Sequence, residues 1–220
     1  MLFNFPGELS VLLARAIVLF TAITVHECAH GFVAYKLGDP TAKYSGRLTL
    51  NPIAHLDIWG ALCMLLCGFG WAKPVPINPM YFRDRKRDSA ICALAGPVSN
   101  ILLALIGVLL AALFDSLVMF RHYNFITGFV SQFFRQLISV NIGFAVFNLI
   151  PFPPLDGSKV LGAFLPYEKY NKLLMYERFG FPILMVLSFT GVIGRILYLF
   201  INPLVNLMNL IYRGLITIFM

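Results

Sequence analysis

The sequence predicts an all-α polytopic membrane protein, a bundle of about five to six membrane helices with a short re-entrant or β element. Composition carries most of this, because 59% of the 220 residues are hydrophobic and only 12% are charged, which no ordinary soluble core needs. Several apolar runs also approach the ~20 residues that one crossing requires. Finally, ionisable residues stand inside an apolar run, where each is costly and therefore marks function. One integral-membrane domain over 1–220 is expected, with its core at 9–160 and C-terminal helices at 180–220, and no soluble domain of ordinary size fits beside it.

The first apolar segment runs from about Leu9 to Leu37 and stops at Gly38-Asp39-Pro40, a helix-ending signal. No basic stretch or small-residue cleavage site precedes it, so this helix is expected to serve as the targeting signal itself. It carries Val25-His26-Glu27-Cys28-Ala29-His30-Gly31. His26 and His30, four apart, project from one face and can hold one metal ion. Glu27 lies ~100° round the helix, suited to handling a water rather than to being a ligand. His26 is roughly 25 Å along from Leu9, in the far third of a ~30 Å hydrocarbon core. Lys36, Lys43 and Arg47 follow, which makes that end cytoplasmic.

Residues 43–51 alternate, with Arg47, Thr49 and Asn51 opposite Leu48 and Leu50, between Gly46 and Pro52. The pattern reads as a short strand. Ile53 to Trp71 is apolar but short and glycine-bearing. Basic clusters flank it on both sides, so it is expected to enter and leave the membrane on one face. Ala72 to Pro79 holds three prolines and must be extended. A charged loop at 83–88 precedes an outward span, Ser89 to Phe114, with Gly96-Pro97 and Asn100 near its start. A return span, Thr127 to Ile150, puts Asn141 and Asn148 on one face. After Pro151-Phe152-Pro153-Pro154 comes Leu155-Asp156-Gly157, then a mildly basic stretch and a further span, Phe181 to about Phe200. In the last segment Asn202, Asn206, Asn209 and Arg213 form a polar stripe, lining an internal cavity or facing water.

The net charge of +7 comes from loops beside apolar runs. Positive-inside bias explains it, and no nucleic-acid partner is implied. Four cysteines, Cys28, Cys63, Cys67 and Cys92, lie in apolar segments and read as small reduced residues.

A catalytic zinc takes three protein ligands and keeps one open position. Beyond the two histidines, the residues offer His55, Asp57, Asp115 and Asp156 for the third. Asp115 belongs at the outer face; Asp156 follows a helix that ends on the cytoplasmic side, although an Asp before Gly-Ser-Lys also suits a helix N-cap. Taken together, His26 to His30, Gly46 to Pro52 (Gly-Arg-Leu-Thr-Leu-Asn-Pro), Gly96 to Asn100 and Asn148 to Gly157 resemble the site-2 protease family of intramembrane zinc metalloproteases, in its compact branch without a PDZ or CBS domain. The resemblance implies that His26, His30 and Asp156 bind one zinc ion, that Glu27 is the general base and acid, and that Asn148 steadies the oxyanion. It also implies a membrane-spanning protein substrate, cut in the bilayer of a cell membrane with the site toward the cytoplasm. Such a substrate must unwind, and the extended pieces offer an edge for it, with Arg47, Thr49, Asn51, Val75 and Ile77 as contacts. Two rival readings are a membrane metalloprotease acting on soluble or lipidated tails and a non-catalytic zinc protein. The second has no use for Glu27.

Overall fold

The computed structural model describes residues 5–60, 72–118 and 125–219. Within them every regular element is helical. Five helices are long: α1 (Phe5–Lys36), α4 (Arg85–Val118), α5 (Phe125–Asn148), α7 (Tyr167–Phe189) and α8 (Val192–Phe219). Between α1 and α4 lie the short turns α2 (Thr41–Tyr44) and α3 (Pro52–His55) and a 3-10 turn at Pro79–Tyr81. Between α5 and α7 lies α6 (Asp156–Phe164).

Three stretches are long and apolar enough to cross a membrane: Leu13–Lys36 of α1, Arg85–Val118 and Val192–Phe219. The chain is thus an integral membrane protein with fewer such helices among the described residues than the five to six expected. At 24 residues α5 has the length, ~36 Å, but Ser131, Gln132, Arg135 and Gln136 dilute its apolar character. Outward-facing Leu94, Val98, Leu102, Ile106 and Leu113 on α4 recur at helical spacing, as a lipid-facing stripe should. Its buried side is built of small residues, among them Ala90, Ala93, Gly96, Ala104, Gly107 and Ala111. In a bilayer, helices associate through close packing rather than hydrophobic exclusion, and small side chains permit it.

α1 buries Ala14, Val18, Ala22, His26, His30 and Ala34, one residue in every four. The site histidines therefore belong to the stripe that packs against α4. α1 and α4 run antiparallel, since His26 meets Asn100 whereas His30 meets the carbonyl of Cys92. α4 and α5 are antiparallel too: Asn100 bonds Asn141, and Asp115 bonds Ser131. α8 closes the bundle through a core of Ala104, Val108, Ile142, Val146 and Met208. At the end remote from the histidines, the Asp115 carboxylate accepts from the hydroxyls of Ser131 (2.8 Å) and Tyr212 (2.7 Å), tying α4, α5 and α8 together.

Two expectations need correction, and one left open is resolved. Residues 43–51 form no strand. The backbone makes the α2 turn and then closes locally, Gly46 N–H on the Lys43 carbonyl and Arg47 N–H on that of Ala42. The span placed at Phe181 to Phe200 is broken at Thr190–Gly191. Gly191 has φ +72°, a left-handed conformation that ends a helix and that glycine adopts without strain. Residues up to Phe189 belong to α7, which starts at Tyr167, and the remainder joins the last segment in one 28-residue helix. On that helix Asn206, Asn209 and Arg213 point outward and Asn202 is half-buried, so the polar stripe lines no internal cavity. Segment Ile53 to Trp71 is described only to residue 60, and its remainder lies outside the described residues along with Cys63 and Cys67.

Candidate metal centre

His26, His30 and Asp156 come together in the buried interior, at 3%, 6% and 8% exposure. The two histidine Nε2 atoms are 3.0 Å apart, and Asp156 Oδ2 lies 3.1 Å from each. Asp156 reaches them because the chain reverses through Pro151–Leu155 after α5 and starts α6 with Asp156 as its first residue. The helix takes no side-chain cap there. The carboxylate is thus spent on the histidines and not on capping.

The far nitrogen of each ring decides what the near one offers. Asn100 is fully buried, and its Nδ2 donates to the Ala22 carbonyl at 3.1 Å and to Asn141 Oδ1 at 2.8 Å. That fixes the amide orientation, so Asn100 Oδ1 faces His26 Nδ1 at 2.7 Å as an acceptor. Nδ1 must carry the proton. The partner of His30 Nδ1 is the Cys92 carbonyl at 2.8 Å, which can only accept. With both imidazoles neutral, their Nε2 atoms present lone pairs, which with the carboxylate make three acceptors facing one another. A cation resolves that arrangement. The edges of 3.0–3.1 Å compare with ~3.3 Å for ligands of a tetrahedral ion at ~2.0 Å. Two neutral imidazoles, each held through its other nitrogen, and one carboxylate are a donor set that fits zinc. Among the described residues no other cluster of this kind occurs.

Gly96 makes the approach of α4 possible. A Cβ there would stand 2.5 Å from His26 Cε1 and 2.5 Å from His30 Nε2, closer than real side-chain atoms pack. The following Pro97 is tolerated within α4.

These residues line a cavity of about 670 Å³, shared with Glu27, Asn148, Val75 and Ile77. Glu27 Oε2 accepts the N–H of Val75 at 2.8 Å. Asn148 donates one amide N–H to the Phe144 carbonyl at 3.0 Å, which leaves its second N–H available. Arg85, Lys86 and Lys159 also line the cavity, as do Tyr167, Tyr170 and Leu174 of α7.

The remaining candidates take other roles. His55 is buried, and its Nε2 donates to the Thr49 carbonyl at 2.8 Å. Asp57 accepts the Gly60 N–H, and Asp115 sits in its polar node at the far end. Of the expected substrate contacts, Val75 and Ile77 line the cavity, whereas Arg47, Thr49 and Asn51 do not. Thr49 Oγ1 accepts the Asn51 N–H, and Asn51 caps α3 through the Ile53 N–H. Asn100, Asn141 and Gly96 were not among the expected site residues. Their signal was a Gly-Pro-x-x-Asn turn near the start of a span and the first of two asparagines on one face of the next.

A family model described as peptidase family M50 matches residues 116–190, a stretch that includes Asn148 and Asp156. A Bacillus subtilis protein named "Putative zinc metalloprotease YwhC" is 41% identical over 194 residues, 88% of either chain. The protein of Mycolicibacterium smegmatis with the same description and the name Rip2 is 31% identical over 79% of this chain and 66% of its own. One from Methanocaldococcus jannaschii, MJ0611, is 28% identical over 73% and 75%. No solved structure matches.

Proposed function

The chain belongs to peptidase family M50, and we propose that it is a zinc-dependent intramembrane endopeptidase that hydrolyses a peptide bond within or near a substrate's transmembrane helix. The observation that carries this reading is the triangle of His26, His30 and Asp156, its imidazoles oriented by Asn100 and Cys92, in one cavity with Glu27. Zinc bound there supplies a Lewis acid that polarises the scissile carbonyl and acidifies water toward neutral pH. Glu27, a carboxylate that is not a ligand, takes the proton of the attacking water and delivers it to the departing amine nitrogen. Asn148 donates its free N–H to the carbonyl oxygen as negative charge develops, a type of contact whose loss typically costs ~10²–10³ in kcat. The buried ligand wall excludes bulk water, which strengthens these interactions.

The substrate is a membrane-spanning protein. Its helix hides the scissile amide, so it must unwind, and the extended residues 73–78 along the cavity offer an edge to receive it. α1, α4, α5 and α8 cross the membrane in alternation, with residues 53–60 and 72–83, at the two ends of the segment at 53–71, on one face. In support of that, the N–H of Lys73 bonds the His55 carbonyl at 3.0 Å, so the two ends of the segment meet. Lys36, Lys43, Arg47, Lys73 and Arg83 then share the histidine end of the bundle, and positive-inside bias makes it the cytoplasmic side of a cell membrane.

Purified protein is expected to carry one zinc per chain and to cleave a transmembrane substrate in reconstituted bilayers. Glu27→Gln retains the metal and loses cleavage, and Asp156→Ala loses the metal whereas His55→Ala keeps it. Near-normal turnover by Glu27→Gln overturns the assignment of the base. Zinc retained by Asp156→Ala but lost from His55→Ala overturns the ligand set.

A further inference from the structure

Glu27 is not free in the cavity, and what holds it is itself held. Residues 73–79 read Lys-Pro-Val-Pro-Ile-Asn-Pro. Lys73, Val75 and Asn78 each precede a proline and are thereby confined to extended backbone. Pro74 and Pro76 bring no N–H, so the segment cannot be secured by a continuous ladder. It is pinned at separate points instead. The Lys73 N–H meets the His55 carbonyl, and the Asn78 N–H meets Asp39 Oδ2 at 2.6 Å. Between these points one side chain grips the segment: Arg47, 26 residues upstream, donates from one guanidinium nitrogen to the carbonyls of Lys73 (2.6 Å) and Pro74 (3.2 Å). The next backbone N–H along the chain is that of Val75, which lands on Glu27.

We propose that Arg47 is a positioning residue for the hydrolysis. It never enters the cavity. By fixing two consecutive carbonyls it sets the place and direction of the Val75 N–H, which anchors one oxygen of Glu27 and leaves the other, Oε1, to face the water it deprotonates. A rigid, always-charged planar fork suits this task, because it holds neighbouring oxygens from one base. A short side chain on α2's trailing loop could not span the gap. The inference rests on Glu27 being the base, and it accounts for an arginine as the second residue of the Gly46–Pro52 motif without any contact to substrate or metal.

The test is kinetic, in reconstituted full-length enzyme with a transmembrane substrate and with zinc content measured on every variant. Arg47→Ala is expected to lower kcat about 10–100-fold, the scale of misplacing a reacting group by ~1 Å. KM should stay within about threefold and zinc stoichiometry should be unchanged, and Arg47→Lys should restore part of the loss. Val75→Pro removes the N–H while keeping extended backbone, and should reproduce the kcat defect. Val75→Ala keeps the N–H and should be much milder. The double variant Arg47→Ala, Val75→Pro should be no more than about threefold slower than the worse single, since both act through one contact. Multiplied defects, a change confined to KM, loss of zinc from Arg47→Ala, or a Val75→Pro enzyme at the wild-type rate each overturn the proposal. Should Arg47→Ala fail to fold, the comparison of Val75→Pro with Val75→Ala decides alone. An active Glu27→Gln enzyme sinks the underlying base assignment instead, so the two failures are told apart.

Discussion

Replacing Asn100 by alanine removes the acceptor of the His26 Nδ1 proton and a donor to Asn141 in one step. Partners that orient a metal-bound histidine typically contribute 10–100-fold in affinity. Zinc binding should therefore weaken by that factor, about 1.4–2.7 kcal/mol. Stability should also fall. The His26 Nδ1 proton and Asn141 Oδ1 lose their partner in a fully buried setting, at ~1–3 kcal/mol each. The Ala22 carbonyl matters less, being part of α1's own backbone. Competition against a chelating indicator, on detergent-purified apo protein, reads the first effect, and thermal unfolding in the presence of chelator reads the second. Cys92→Ala is the matched control. His30 is held by the Cys92 main-chain carbonyl while its thiol only donates to the His30 carbonyl, so the substitution should leave zinc affinity within about twofold. Wild-type affinity in Asn100→Ala, or an equal loss in Cys92→Ala, would refute the argument that the Nδ1 partners prepare the ligands.

Two further outcomes are expected. Gly96→Ala should strip zinc without removing any ligand, because its methyl group would stand 2.5 Å from both imidazoles; metal analysis at full occupancy would show that α4 can retreat at no cost to the site. Ser45→Cys and Arg83→Cys, placed either side of the segment at 53–71 in a cysteine-free background, should both resist an impermeant reagent in spheroplasts and react after lysis, whereas labelling of just one from outside would mean that the segment crosses.

The parts of the fold legible in the sequence were those that repeat. Apolar runs of membrane length gave the long helices, and Gly38, with φ +104°, stopped α1 where Gly-Asp-Pro signalled it. His26 and His30 could be paired from their spacing alone, because one helix fixes their geometry. Asp156 could not, since its arrival depends on how α5, the Pro151–Leu155 reversal and α6 are placed together. Spacing left four candidates for that ligand, and the resemblance chose among them. The alternation at 43–51 misled for a related reason: a two-residue period describes a strand only if another strand lies beside it, and Arg47 answers to Lys73 and Pro74 through its side chain instead. Hydropathy also hid the α7–α8 break, where one glycine dihedral outweighs an apolar run that continues across it.

The triangle of His26, His30 and Asp156 joins positions far apart in the chain, His30 and Asp156 being 126 positions apart. A ribosome adding ~5–20 residues per second needs roughly 6–25 s to cover that distance. Throughout that interval the histidine pair is already made but lacks its carboxylate. A two-ligand site grips zinc poorly, so the half-made chain carries no formed hydrolytic centre. On the proposed ligand set, the site is completed only once α6, which begins with Asp156, has been made.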